Sequence, residues 1–171
     1  MKLDVSGKRV VVAGGSRGIG RSIALAFAEG GAAVSICARG AEALEATRKE
    51  LAAKGGTVHA SRCDLASEAD IARYVPEAAK ALGGIDVLVN NATAGAVGDT
   101  EAAWNESLAV DLLAVVRASR SAMPFLEKGR DPTIINISSG SGLILRCARR
   151  RTAPRKPRSS TTRVRRRRRS R

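Results

Sequence analysis

The chain has 171 residues, enough for one domain with a real core, and an ordinary hydrophobic content of 44%. Its net charge of +14 is unevenly placed: residues 1–145 carry 16 basic and 16 acidic side chains, whereas residues 146–171 carry 14 basic and no acidic ones. No apolar run approaches the roughly 18 residues of a membrane span, and Cys37, Cys63 and Cys147, odd in number and widely spaced with no CxxC pair, argue against a disulfide framework or a zinc site.

Reduced thiols and the lack of an apolar leader give the expectation of a cytoplasmic protein with no membrane association. Trp104, Tyr74, Phe27 and Phe125 are the only aromatic residues, so aliphatic side chains must build the core.

In chain order, Arg9–Ala13 (RVVVA) reads as a buried strand, followed by a glycine cluster and a helix over Ile19–Glu29. Ala33–Cys37 is a second strand, and Ala41–Ala53 a helix closed by Lys54-Gly55-Gly56. Thr57–Ser61 is a third strand. Ser67 is placed to cap a helix that runs to Leu82 and ends at Gly83-Gly84. Ile85–Val89 is a fourth strand, Thr100–Met123 a long helix stopped before Pro124, and Thr133–Ile137 a fifth strand. Strands separated by helices of this length predict βαβ units and a parallel sheet. Right-handed crossovers make this an α/β, doubly wound, Rossmann-like domain. We place the domain at residues 1–145, truncated after the fifth strand, with a disordered arginine-rich tail at 146–171.

The strongest local signal is Ala13-Gly14-Gly15-Ser16-Arg17-Gly18-Ile19-Gly20, between the first strand and the first helix. Gly14 lets the chain turn off the strand. Gly18, without a Cβ, lets backbone N–H groups approach a pyrophosphate, and Gly20 lets the helix pack close to the strand. The helix N-terminus adds unpaired donors and partial positive charge. The spacing is G-x-x-x-G-x-G rather than GxGxxG, and no Gly-Lys-Ser/Thr follows as in a P-loop.

This turn resembles the T-G-x-x-x-G-x-G motif of short-chain dehydrogenases/reductases, with Ala13 in the threonine place. Cys63-Asp64-Leu65 resembles that family's segment whose aspartate meets adenine. Asn90-Asn91-Ala92-Thr93 resembles its N-N-A-G motif, and Ile137-Ser138-Ser139 its serine-bearing segment. The likeness covers residues 5 to about 144. It implies an oxidoreductase that moves a hydride between a nicotinamide dinucleotide and a small carbonyl or alcohol substrate, homo-oligomeric in intact relatives. Carried over residue by residue, Gly14, Ser16, Arg17, Gly18, Ile19, Gly20, Asp64, Leu65, Asn91 and Ala92 would bind cofactor. NAD selection uses an acid at the end of the second strand. Here Cys37-Ala38-Arg39-Gly40 stands there, and Arg39, with Arg17, could fork onto a 2′-phosphate. NADP(H) is therefore favoured over NAD(H), the alternative being two solvated surface arginines.

The resemblance assigns Ser139 to orienting the carbonyl. Its asparagine, which holds a water, falls on Asp111, equally readable as an ordinary polar helix position. Its Tyr-x-x-x-Lys pair has no counterpart: the only tyrosine is Tyr74, followed four residues on by Ala78, and we expect Tyr74 to pack against a neighbouring helix. The leading reading is thus an NADP(H)-dependent oxidoreductase impaired in this chain. One alternative is a catalytically inactive nucleotide-binding domain; another is salt-sensitive, sequence-blind nucleic-acid binding through Arg163–Arg169. The charge break near residue 146 coincides with the end of the resemblance. It raises the expectation that the tail is the missing segment read in another frame; the alternative is a true arginine-rich terminus. With suitable codons, a reading one base earlier from Thr161 gives Tyr-Ser-Gly-Ala-Lys-Ala, and the gene's nucleotide sequence decides.

Overall fold

Val10, Val11 and Val12 are wholly buried, because the strand that carries them lies inside a sheet covered on both faces. A computed structural model describes residues 4–96 and 98–139. By compactness the chain divides into Met1–Ser138 and Ser139–Arg171. The arginine-rich stretch, with Cys147 and the expectations placed on it, lies outside the described residues.

The strands are β1 (Arg9–Ala13), β2 (Ala33–Ala38), β3 (Val58–Arg62), β4 (Val87–Asn90) and β5 (Thr133–Asn136). They form one parallel sheet in the order β3-β2-β1-β4-β5. The order reverses beside β1, where a doubly wound sheet opens a crevice at the carboxyl ends of its strands. The expected α/β, Rossmann-like architecture is therefore the one found. Strands β3 and β4 begin one and two residues later than the sequence suggests, each ending one residue later.

The helices are α1 (Gly18–Glu29), α2 (Ala41–Ala52), α3 (Glu68–Leu82), α4 (Glu101–Ser107) and α5 (Ala114–Leu126). Alternation along β1 separates two cores. Val10 and Val12 pack with Ala24, Ala28, Leu44 and Leu51 of α1 and α2. Val11 and Ala13 pack with Ile71, Tyr74, Ala118 and Ala122 of α3 and α5. Each fully buried valine stabilises the fold by about 1.5–2 kcal/mol. Ser67 caps α3 as its position suggests, accepting the Asp70 N–H at 3.2 Å, and Gly83 ends it at φ +76°. Asp86 fastens the opposite end of the sheet. Its wholly buried carboxylate accepts the Arg9 N–H and the Arg9 guanidinium at 2.7–2.9 Å, and the Arg130 N–H at 2.6 Å.

Two expectations need correction. The helix over Thr100–Met123 is not continuous: a π-helical segment, Leu108–Leu113, separates α4 from α5. Nor does it stop before Pro124, which lies inside α5. A proline removes one N–H, but the next turn still closes through Glu127 N–H to Met123 O at 2.9 Å, and Leu126 is buried by continuing. The edge strand β5 pairs with β4 and is exposed along its length, Ile134 and Ile135 included.

Candidate functional site

Parallel pairing brings the ends of β1, β2 and β4 level, since Ala13 lies opposite both Cys37 and Asn90. The segments after these strands therefore share one edge. The turn after β1 hangs from β2, with the Gly14 and Gly15 N–H groups both donating to the Cys37 carbonyl at 3.1 Å. Gly14 is at φ +83°, and a Cβ there would meet Ala92 at 2.9 Å. At Gly20 a Cβ would run into the Gly14 carbonyl and the Asn91 amide. Only glycine lets α1 start this close to the strand.

Gly18 is different. It has φ +55° and open space where its Cβ would be. Arg17, in extended backbone, precedes the first turn of α1, which has no side-chain cap and no acidic residue. The exposed side chain of Ile19 lies beside it. This open, uncapped N-terminus with a Cβ-free approach fits a dinucleotide's pyrophosphate in shape and charge. Ser16 is held from behind, its carbonyl accepting from the Thr47 hydroxyl at 2.9 Å.

Asn91 has its side-chain amide on the Gly14 carbonyl at 2.9 Å, and so clamps the turn from β4. Arg39, exposed at the end of β2, lies 4.0 Å from a Glu106 carboxylate oxygen on α4. Asp64 is half-buried and locally engaged: its carboxylate accepts the Ala66 N–H at 3.0 Å, and its own N–H donates to Asp70 at 2.8 Å. Leu65 and Ala92 join Ala13, Asn90, Val110, Ala114 and Val115 in lining a small cleft. Asp111 stands in the π-helical segment, where it accepts the Ala94 N–H of the loop after β4 at 3.1 Å. Ser139 is exposed, three residues past the end of β5.

Tyr74 joins the buried cluster that α3 and α5 share with the sheet. Its hydroxyl bonds Ser35 on the sheet at 2.9 Å, and its ring stacks on His59 with centroids 6.2 Å apart. Burial holds its phenol well above the usual range. It is a wholly buried group.

Thr47 is a supporting residue that the sequence reading overlooked, and Asn90, which it named only as part of the N-N-A-G-like segment, is another. Thr47 occupies an apolar position of α2, between Leu44 and Leu51, and this polar residue in an apolar register was the available signal. Asn90 donates to Asn136 Oδ1 at 2.8 Å and Ser119 Oγ at 3.3 Å, pairings that local spacing cannot reveal.

Comparison with known proteins agrees with this geometry. The short chain dehydrogenase family model matches residues 8–148. The chain is 34% identical to the uncharacterized oxidoreductase YvrD of Bacillus subtilis, covering 84% of this chain and 55% of that protein. A Burkholderia cenocepacia short chain dehydrogenase solved with NADP superposes with a TM-score of 0.76 at 34% identity, covering 85% of this chain and 60% of that one. A 7α-hydroxysteroid dehydrogenase solved with NADH and 7-oxo glycochenodeoxycholic acid gives a TM-score of 0.79 at 29% identity, covering 85% and 58%. The chain thus spans a little over half the length of the relatives it matches. With the glycine turn, the ordered strand-end motifs and the sheet order all in agreement, the chain belongs to the short-chain dehydrogenase family of oxidoreductases.

Proposed function

We propose that this chain carries the cofactor-binding part of an NADP(H)-dependent oxidoreductase acting on a carbonyl or alcohol substrate, and that carbonyl reduction is impaired in the 171-residue chain itself. The observation that carries the cofactor reading is Arg39 at the end of β2, with no carboxylate between Cys37 and Gly40. Solved neighbours include both an NADP and an NADH complex, so the preference rests on this chain's own residues.

In this reading the turn Gly14–Gly20 holds the pyrophosphate against α1. Ser16, Arg17 and Ile19 border it. Arg39 takes the 2′-phosphate, Asp64 and Leu65 border the adenine, and Asn91 and Ala92 keep the turn and the neighbouring wall in place. When bound, the nicotinamide supplies hydride chemistry. Ser139 orients the substrate oxygen by donating its hydroxyl. Asp111 holds the loop after β4 by accepting the Ala94 N–H, which leaves one carboxylate oxygen for a water. No described residue serves as the proton donor that carbonyl reduction needs near neutral pH, because Tyr74 is buried and bonded to Ser35.

Fluorescence titration of the full chain with NADPH and NADH tests the proposal. NADPH should bind more tightly, and Arg39→Ala should narrow the difference by about tenfold or more, the worth of one charge-assisted contact. Equal affinities, or a preference for NADH, would reject the assignment of Arg39. The buried Tyr74 also favours a second reading, a nucleotide-binding domain without catalysis; cofactor binding without turnover in the full-length protein would support it.

A further inference from the structure

Cys37 and Cys63 lie on the same face of the sheet. Cys37 is opposite Ser61 in the β2–β3 register, and Cys63 is two residues beyond Ser61, so its side chain emerges on that face too. The Cys63 N–H donates to the Ala38 carbonyl at 3.1 Å, so the pairing persists to this level. Both thiols are free, buried and part of one core cluster. On the backbone side, Cys37 is the residue whose carbonyl holds the Gly14 and Gly15 N–H groups.

We propose that Cys37 and Cys63 are a site of reversible two-electron oxidation, closing to a disulfide that loosens the glycine turn. The proposal stands apart from the cofactor reading, since it concerns two sulfurs and a backbone turn. The sulfurs differ in character. The Cys63 thiol, the Tyr74 hydroxyl, the Gly14 N–H and the more distant Arg73 guanidinium favour the thiolate of Cys37, while Cys63 is held protonated by its neighbour and by burial. With hydrogen peroxide as oxidant, the Cys37 thiolate attacks one peroxide oxygen. An S–O bond forms, the O–O bond breaks and hydroxide leaves. Cys63 then attacks the Cys37 sulfur: the S–S bond forms, the S–O bond breaks and a second hydroxide leaves. The two thiol protons convert the hydroxides to water. Two thiols are oxidised by two electrons, and one peroxide is reduced to two waters.

Burial alone makes a cysteine inert, so the reaction proceeds through local opening of the β2–β3 end. A diagonal neighbour across two strands sits at the outer limit of disulfide reach. The bond therefore closes only by drawing the strand ends together, and the Cys37 carbonyl moves with them.

The test uses the full chain with Cys147→Ser, which removes the third thiol. After treatment with hydrogen peroxide, intact mass should fall by two hydrogen atoms, and peptide mapping should join Cys37 to Cys63 within one chain. Dithiothreitol should reverse both changes. Cys63→Ser and, independently, Cys37→Ala should abolish the mass loss. In the oxidised protein, hydrogen exchange at the Gly14 and Gly15 amides should rise about tenfold, as one hydrogen bond at each is weakened. Two separately alkylated cysteines after oxidation, sulfurs carrying only oxygen adducts, or turn amides whose exchange is unchanged would each overturn the proposal.

Discussion

Arg39 reaches a carboxylate of Glu106 at 4.0 Å, and a bound 2′-phosphate would compete with it for the same guanidinium. An exposed pair of this kind is worth about 0.2–1 kcal/mol. Glu106→Gln should therefore tighten NADPH by about two- to fivefold and leave NADH unchanged; isothermal titration with both cofactors reads the difference, and an equal effect on the two would show that Glu106 does not act through Arg39. The glycines separate in the same way. Gly20→Ala pushes a methyl into the Gly14 carbonyl, so it should destabilise the fold by about 1–3 kcal/mol, visible in thermal denaturation without cofactor. Gly18 faces open space. In Gly18→Ala the principal loss should be in dinucleotide affinity, with a fold penalty of about 1–2 kcal/mol from its positive φ. An unchanged affinity would remove the pyrophosphate from that position.

At the scale of elements, Asp86 joins β1 to β4 and to the segment before β5. Its carboxyl is held well below the usual carboxylate range, first by the hydrogen bonds from the Arg9 guanidinium and then by the Arg130 and Arg9 N–H groups. The folded pKa lies below the unfolded value of about 3.9. This contribution is therefore complete above that pH and is lost as pH falls toward the folded value. Asp86→Asn should lower stability at neutral pH by about 3 kcal/mol and flatten the loss of stability on acidification. Urea titrations between neutral and strongly acid pH measure both. The strands were legible because a strand buried on both faces must be an apolar run, as Val10–Val12 is. The π-helical segment was not: Leu108–Leu113 has the composition of any amphipathic helix, and its Asp111 accepts the Ala94 N–H, a contact 17 residues apart that local spacing does not announce. The same limit applied to the site. Its glycines are read from spacing, but the Asn91 clamp joins residues 77 positions apart, and the turn toward Ser35 and His59 taken by Tyr74 is set by tertiary packing.

For the molecule as a whole, the sole tyrosine is committed to the core, and the chain spans a little over half of its relatives. NADPH oxidation by the purified 171-residue chain should be negligible with a panel of ketones. Substantial turnover abolished by Ser139→Ala would show that another group delivers the proton. The sheet order has a further consequence. β1 is among the first segments made, yet it lies in the middle, paired on one side with β2 and on the other with β4. Arg9 and its anchor Asp86 are 77 residues apart. At a synthesis rate of about 5–20 residues per second, the ribosome takes on the order of ten seconds to supply the partner of an already finished strand. During that interval one edge of the innermost strand has no native neighbour.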